Sequence, residues 1–276
     1  MIESERGIEA FSGIRIGRRP SRAHDFVFVA EREVNQCALL VGQELRDDWG
    51  FDDRDESFAG ACVLARADEI FLPLQAETAG DGLERFSRGF REVMMQTQQE
   101  LQAGAKDSTG GAPSVSLSLA YIEGRALYLG QVGNNPSYLV RSRRVHRITA
   151  AGPERLSDIE QPLVRDPSLL SNADLEVVGG FSDDLDTHTL AVSLKPDDLI
   201  ILCTRGVTAG VPEPILEEAL LARGRAEEQQ PLDAIADAIF RLVPQGSPAA
   251  DRGIALARLP RAKEPRNESS PASSDR

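Results

Sequence analysis

Hydrophobic and polar positions along the first half of the chain predict three strands, a long helix and then four more strands. Short apolar or alternating runs predict strands near residues 7–16, 26–30 and 37–41. Within residues 86–101 the apolar positions recur every three or four residues, which predicts an amphipathic helix. Four more strands are expected at 114–122, 125–132, 137–141 and 144–148. The short connections at 123–124 and 142–143 suit antiparallel hairpins.

The second half continues this mixture of strands and helices after a long acidic, loop-rich stretch at 150–186. Strands are expected at 188–194, 199–203 and 253–259, and amphipathic helices at 213–223 and 232–242. Consecutive hairpins with long amphipathic helices between them favour an α+β layered sandwich. Strands and helices do not alternate regularly enough for a doubly wound parallel sheet.

Composition indicates one domain and a tail. The chain has 276 residues, of which 41% are hydrophobic, and this is enough to bury a sizeable core. After Leu259 the sequence holds mainly Pro, Ser and charged residues, which offer nothing apolar to offset the entropy of ordering. We therefore expect a domain at 1–259 and a disordered tail at 260–276.

Net charge and the positions of the cysteines limit the expected classes of function and the expected cellular compartment. The formal net charge of -13 repels phosphate backbones and anionic lipid surfaces, so we expect neither a nucleic-acid nor a membrane partner. No apolar stretch reaches the length of roughly 20 residues that spans a bilayer. Cys37, Cys62 and Cys203 lie separately in apolar runs, as free cysteines of a core do. A cytoplasmic protein is the expectation.

Three segments carry a resemblance to a known family. They are Ala23–Phe26 with the following strand that ends in Gly42-Gln43-Glu44, Leu127–Arg141 with its Gly-Asn-Asn-Pro turn, and Leu194–Thr208. In this order they resemble the PPM family of metal-dependent protein phosphatases, in particular its bacterial branch that includes the sporulation stage II E type. The resemblance covers about residues 8–259 and implies an α-β-β-α sandwich, in which two mostly antiparallel sheets are flanked by helices.

The same resemblance implies a reaction, and it shows where this chain departs from the family's metal-binding residues. The family hydrolyses phosphoserine or phosphothreonine with paired Mg²⁺ or Mn²⁺ ions held by aspartates at strand ends. Asp25 stands at the first of these aspartates, but Gln43 replaces the bridging one and Arg205 replaces the one in Thr-Asp-Gly. The last falls on Arg252, or on Asp251 if the strand begins with a one-residue bulge.

These departures predict a pseudophosphatase, a non-catalytic signalling module that uses no cofactor. Its expected partner is a protein, either a phosphoprotein or a Ser/Thr kinase. We expect Arg205, alone or with Arg252, to pair with Asp25 and so replace the metals structurally, because a guanidinium satisfies a carboxylate directly. A phosphate-binding role for these arginines is the chemical alternative.

The alternative function is an active protein Ser/Thr phosphatase with a rearranged Mg²⁺ or Mn²⁺ site. Its metal ligands would be Asp25 and Asp251, joined by Glu44 and by Asp47 or Asp48. The acidic run at 47–56 that contains the last two lacks the spacing and the central glycine of an EF-hand, so it is interpreted as a solvated loop.

Overall fold

The computed structural model describes residues 7–15, 23–33, 35–45, 58–71, 82–105, 114–133, 135–148, 178–179, 185, 187–208, 211, 213–224, 230–243 and 252–260. The helices are α1 (Phe58–Phe71), α2 (Gly82–Ala105), α3 (Arg205–Thr208), α4 (Glu213–Gly224) and α5 (Leu232–Leu242). The strands are β1 (Glu9–Arg15), β2 (Ala23–Glu33), β3 (Gln36–Leu45), β4 (Ser114–Glu123), β5 (Ala126–Val132), β6 (Ser137–Arg141), β7 (Arg144–Arg147), β8 (Val178–Gly179), β9 (His188–Ser193), β10 (Leu199–Cys203) and β11 (Arg252–Arg258). The acidic run at 47–56 and residues 261–276 of the tail predicted at 260–276 lie outside the described residues.

The strands form two antiparallel sheets. One sheet has five strands in the order β1-β11-β10-β6-β7. The other has six, in the order β2-β3-β4-β5-β9 with β8 beside β4. The two predicted hairpins are present, because β4 pairs with β5 and β6 pairs with β7. Strand β2 also pairs with β3. The α+β sandwich expected from the sequence is therefore confirmed.

Each sheet buries its inner face against the other sheet and its outer face against helices. Between the sheets, Leu39 and Leu129 of the six-stranded sheet belong to one buried cluster with Leu139 and Leu202 of the five-stranded sheet. Outside the five-stranded sheet, the buried side chains of β10 and β11 cluster with those of α4 and α5. The strict alternation of strand side chains produces these layers, since neighbouring residues point to opposite faces.

Helix α2 covers the outer face of the six-stranded sheet, as its apolar spacing predicts. Phe86, Phe90 and Met94 are fully buried there, whereas Met95 is half exposed. Gly130 of β5 makes room for Phe90, because a Cβ atom at residue 130 would lie 2.7 Å from the ring. Burying each aromatic ring stabilises the fold by about 1.5–3 kcal/mol.

Helix α1 was not predicted from the sequence. It packs beside α2, and Arg66 of α1 forms an ion pair with Glu100 of α2. Val63 is buried, but the exposed positions Ala61 and Ala65 are also apolar, so the sequence shows no contrast between a buried and a polar face. In the described part of the chain, no helix combines the length and apolar character needed to cross a membrane.

Candidate functional site at one end of the sandwich

Inner-face residues of the six-stranded sheet become more polar toward one end. Residues directly opposite on paired strands share a face, so they form rows across the sheet. One central row is entirely apolar: Val29, Leu39, Ala120, Leu129 and Leu190. The next row is mixed: Val27, Val41, Ser118, Gln131 and His188. The last row is entirely polar: Asp25, Gln43 and Ser116. This last row, which is buried and polar and lies at the end of the sheet, is the candidate site.

Asp25 is the centre of this site and is 8% exposed. Gln43, its direct partner on β3, donates from Nε2 to Asp25 Oδ1 at 2.8 Å. On the opposite sheet, the Gly253 N–H donates to Asp25 Oδ2 at 2.9 Å, and the Thr204 hydroxyl donates to the same oxygen. The carboxylate therefore joins the two sheets through neutral donors.

Gly253 is required at its position by close approach. A Cβ atom there would lie 2.8 Å from Val27 Cγ1 and 3.1 Å from Thr204 Cγ2. The backbone of β11 can thus reach Asp25 only because residue 253 has no side chain. Its N–H also lies 3.0 Å from Thr204 Oγ1, which links the two donors to each other.

Arg205 and Arg252 do not contact Asp25, contrary to the pairing expected from the sequence. Among the described residues, the bonds to its carboxylate come from Gln43 and from the residues immediately before Arg205 and after Arg252. Gly253 occupies an inward position on β11, so alternation turns Arg252 to the other face of the strand. Arg205 is exposed at the start of α3, and Arg252 is partly exposed at the start of β11.

Several predicted ligands lie outside the part of the chain that the structure describes. These are Asp251, Asp47, Asp48 and the side chain of Glu44. Among the described residues, no group of three or more His, Cys, Asp or Glu side chains is placed to hold a metal ion. The described part of the site therefore contributes one carboxylate, Asp25.

A second set of buried hydrogen bonds fixes the turn after β5. The carbonyl oxygen of Asn135 accepts from Gln131 Nε2 at 2.6 Å and from Ser118 Oγ at 3.1 Å. Asn135 Nδ2 in turn donates to the Ser116 carbonyl oxygen at 2.8 Å. Gly133 opens the turn with a φ of 77°, which glycine adopts without strain. The turn was predicted from sequence, but its attachment to β4 was not.

Cys203 lies at the same end but is not a nucleophile. Burial raises the pKa of its thiol to about 12; Arg147 opposes this rise and Asp25 adds to it. The thiol stays protonated at neutral pH, and a thiol is a far weaker nucleophile than a thiolate. Its Sγ donates to the Pro136 carbonyl oxygen at 3.5 Å, which is a structural contact.

The sequence and the structure were compared with those of known proteins. A scan of family models and a search of curated proteins give no match to the sequence. Among solved structures, the Mycobacterium tuberculosis serine/threonine phosphatase PstP/Ppp matches at TM-score 0.61 and 15% identity, over 92% of this chain and 99% of that one. The Streptococcus agalactiae serine/threonine phosphatase matches at TM-score 0.64 and 14% identity, over 91% and 99%.

Two further structures extend this comparison. PppA, described as a key regulatory component of T6SS in Pseudomonas aeruginosa, matches at TM-score 0.59 and 16% identity, over 92% of this chain and 98% of that one. The catalytic domain of PstP has also been solved in complex with two manganese ions. The likeness extends over nearly the full length of each protein. The chain therefore has the fold of the bacterial PPM-type serine/threonine phosphatases.

Proposed function

We propose that this chain is a pseudophosphatase, a PPM-type scaffold that binds a protein partner without efficient metal-dependent hydrolysis. The hydrogen bonding of Asp25 supports this most directly. Both of its carboxylate oxygens accept bonds from neutral protein donors at the end of the sandwich. A carboxylate that joins the two sheets in this way has a structural role of its own.

The residues at the site do not fit a pair of divalent cations. Mg²⁺ and Mn²⁺ favour oxygen ligands, and carboxylates make their binding competitive with hydration. Beside Asp25 stands Gln43, an uncharged amide whose nitrogen points at the carboxylate. The resemblance aligns Arg205 with another of the family's aspartates, so positive charge replaces negative charge there, and the last aspartate falls on Arg252 or on Asp251. We therefore assign no hydrolytic step to this site.

Protein binding is the function that such a scaffold retains. The site end is closed by hydrogen bonds, but the outer surfaces of the sandwich do not depend on metals. PppA, which shares the fold, is described as a regulatory component of a larger system. By analogy we assign this chain a regulatory role, with a phosphoprotein or a Ser/Thr kinase as its partner in the cytoplasm.

Activity and metal binding of the purified full chain test this proposal. Hydrolysis of p-nitrophenyl phosphate and of a phosphothreonine peptide is measured with Mn²⁺, beside the Asp25→Ala variant and with PstP as positive control. We expect the wild type to show no more Mn²⁺-dependent turnover than Asp25→Ala, and calorimetry to show no micromolar Mn²⁺ binding. Robust turnover that disappears in Asp25→Ala would establish the active phosphatase instead.

A variant designed to gain Mn²⁺ binding provides a positive control for the metal-binding test. Gln43→Asp sets a second carboxylate opposite Asp25, in a position where two buried like charges repel. We expect this variant to melt at a lower temperature than the wild type in chelator and to recover with Mn²⁺. The wild type should melt at the same temperature in both conditions. A wild-type melting temperature that rises with Mn²⁺ contradicts the proposal.

A further inference from the structure

Strand β1 forms one edge of the five-stranded sheet. Within the described ranges it pairs with β11 on one side and with no strand on the other. All seven of its residues are exposed or half-buried, whereas six of the seven residues of β11 are buried. An edge strand presents backbone N–H and C=O groups that another strand can pair with.

The usual protections of a strand edge are absent from β1. Natural edges carry bulges, prolines or charges, or are very short. Strand β2, an edge of the other sheet, has a bulge between Glu31 and Glu33, and β7 has only four residues, two of them arginines. Strand β1 follows β11 over seven consecutive residues without a register shift, and its five central residues are uncharged. One of these, Ile14, is 43% exposed. Strand β1 is therefore suited to pairing with a further strand.

The charges of β1 are complementary to those of a second copy of the same strand. Two antiparallel copies centred on Ser12 bring opposite charges together at both ends, with Glu9 of each copy opposite Arg15 of the other. The central pairs are uncharged: Phe11 with Gly13, Ala10 with Ile14, and Ser12 with Ser12. Opposite charges on directly opposite residues stabilise a strand pair, and like charges destabilise it. A parallel pair in the same register would instead set Glu9 beside Glu9.

The two faces of β1 agree with this register. Phe11 packs in the outer cluster and Arg15 lies against Phe240 of α5, whereas Ala10 packs between the sheets. Odd positions therefore face outward and even positions face inward. Directly opposite residues share a face, and centring on Ser12 joins odd positions with odd ones and even with even. A shift of one residue would oppose the two faces, so it is excluded.

Glu9 and Arg15 can reach a second copy although each has a contact within its own chain. Their side chains are 53% and 45% exposed. The contact of Glu9 with Arg258 is 3.4 Å long, which is longer than charge-assisted hydrogen bonds usually are. Arg15 binds Asp237 through Nη2 at 2.6 Å, and a guanidinium has further N–H donors for a second carboxylate. The two ends of the edge can therefore form ion pairs between copies.

We propose that two copies of this chain form a symmetric dimer by antiparallel pairing of their β1 strands about Ser12. Each contact then occurs twice, as in any interface with a two-fold axis. The two sheets of five strands join into one continuous sheet of ten. One seven-residue strand from each copy makes a small interface, so the dimer is reversible, with a dissociation constant in the micromolar range. This inference is independent of whether the Asp25 site hydrolyses phosphate.

Sedimentation velocity of the full chain, from about 1 to 200 μM, measures the dimer. Arg15→Glu sets glutamate against glutamate at both ends, and Glu9→Arg sets arginine against arginine. Each variant alone should weaken dimerisation at least about tenfold. An equimolar mixture of the two restores Glu–Arg contacts at both ends, so it should form a heterodimer with an affinity near that of the wild type. Melting temperatures check that both variants fold.

The matched control is Arg144→Glu on β7, at the other edge of the same sheet. It makes the same change of charge at an exposed arginine and should dimerise like the wild type. A wild type that stays monomeric at the highest concentration overturns the proposal. So do single charge variants that dimerise as the wild type does, and a mixture that forms no heterodimer.

A cysteine at the symmetry centre tests the register without changing charge, and it decides the question even where a charge variant does not fold. Directly opposite Cα atoms in an antiparallel pair are about 4.5 or 5.5 Å apart, within the range of about 4.4–6.8 Å that a disulfide spans. Ser12→Cys should therefore form a disulfide-linked dimer under mild oxidation at least about tenfold faster than Ser142→Cys, which places a cysteine on the exposed turn between β6 and β7. Equal rates for the two variants overturn the proposed pairing.

Discussion

Replacing Thr204 by valine isolates the hydrogen bond that Asp25 receives from across the sandwich. The two side chains have nearly the same shape, so the substitution removes the hydroxyl and little else. In the wild type this hydroxyl donates to Asp25 Oδ2 and lies 3.0 Å from the Gly253 nitrogen. Thr204 is fully buried, so water cannot replace the lost donor without entering the core.

The expected cost follows from these contacts. Hydrogen bonds to charged groups contribute about 1.5–3 kcal/mol. The Gly253 N–H, 2.9 Å from the same oxygen, keeps Asp25 Oδ2 partly satisfied, which limits the loss. We expect the free energy of unfolding of Thr204→Val to fall by about 2 kcal/mol. That is a substantial part of the roughly 5–15 kcal/mol that stabilises a typical domain.

Urea unfolding followed by circular dichroism measures this change. The midpoint should fall while the denaturant slope stays constant, since the same surface is exposed. Thr204→Ser keeps the hydroxyl and should lose about 1 kcal/mol or less. Thr208→Val removes a hydroxyl whose 3.4 Å contact with the Arg205 carbonyl is weak, and should stay within about 0.5 kcal/mol of the wild type. If Thr204→Val also stays within that range, the hydroxyl does not hold Asp25 and the reasoning fails.

Substitutions at three other residues test separate parts of the structure. Gly253→Ala inserts a methyl group 2.8 Å from Val27 Cγ1 and should lower the free energy of unfolding by about 1–3 kcal/mol; an unchanged urea midpoint would contradict the close packing. Asp197 has a φ of 67°, so Asp197→Gly should raise the urea midpoint and Asp197→Ala should lower it, and the reverse order would disprove backbone strain there. Burial raises the pKa of Cys37 and Cys203 from 9.0 to about 12, so the folded chain keeps protons that the unfolded chain releases above pH 9. Stability from these thiols is complete below pH 9 and falls toward pH 12, by up to about 1.4 kcal/mol per thiol and pH unit. Cys203→Ala should reduce that slope by about half, and an equal slope in the variant would rule out the Cys203 contribution.

Much of the fold could be predicted because local patterns and tertiary packing agree. Helix α5 spans the residues that its apolar spacing marks, and β10 matches its predicted range. Helix α1 was missed because its small and apolar residues surround the helix without forming one stripe. The pairing of β1 with β11 could not be predicted either, since about 240 residues separate them and periodicity carries no information on distant partners.

Asp25 and Gln43 were selected from the sequence motifs, and in the structure Gln43 donates a hydrogen bond to Asp25 at 2.8 Å. That the two residues occupy a former metal site stays a prediction. The residues that complete the site are Thr204 and Gly253, each one position from the arginines on which the sequence argument concentrated. Alternation along β10 and β11 contained the missing signal, because the inward positions continue to residues 204 and 253.

The position of β11 has a consequence for synthesis. This strand comes last among the described strands, yet it lies between β1 and β10 in the five-stranded sheet. Chains emerge from the ribosome N-terminus first, so β1 has no β11 partner until about 240 further residues have been synthesised. The bond from Gly253 to Asp25 spans 228 residues and forms under the same restriction. Until β11 has left the ribosome, the backbone edges of β1 and β10 that it later covers stay unpaired. Unpaired strand edges are sites where chaperones bind or aggregation begins.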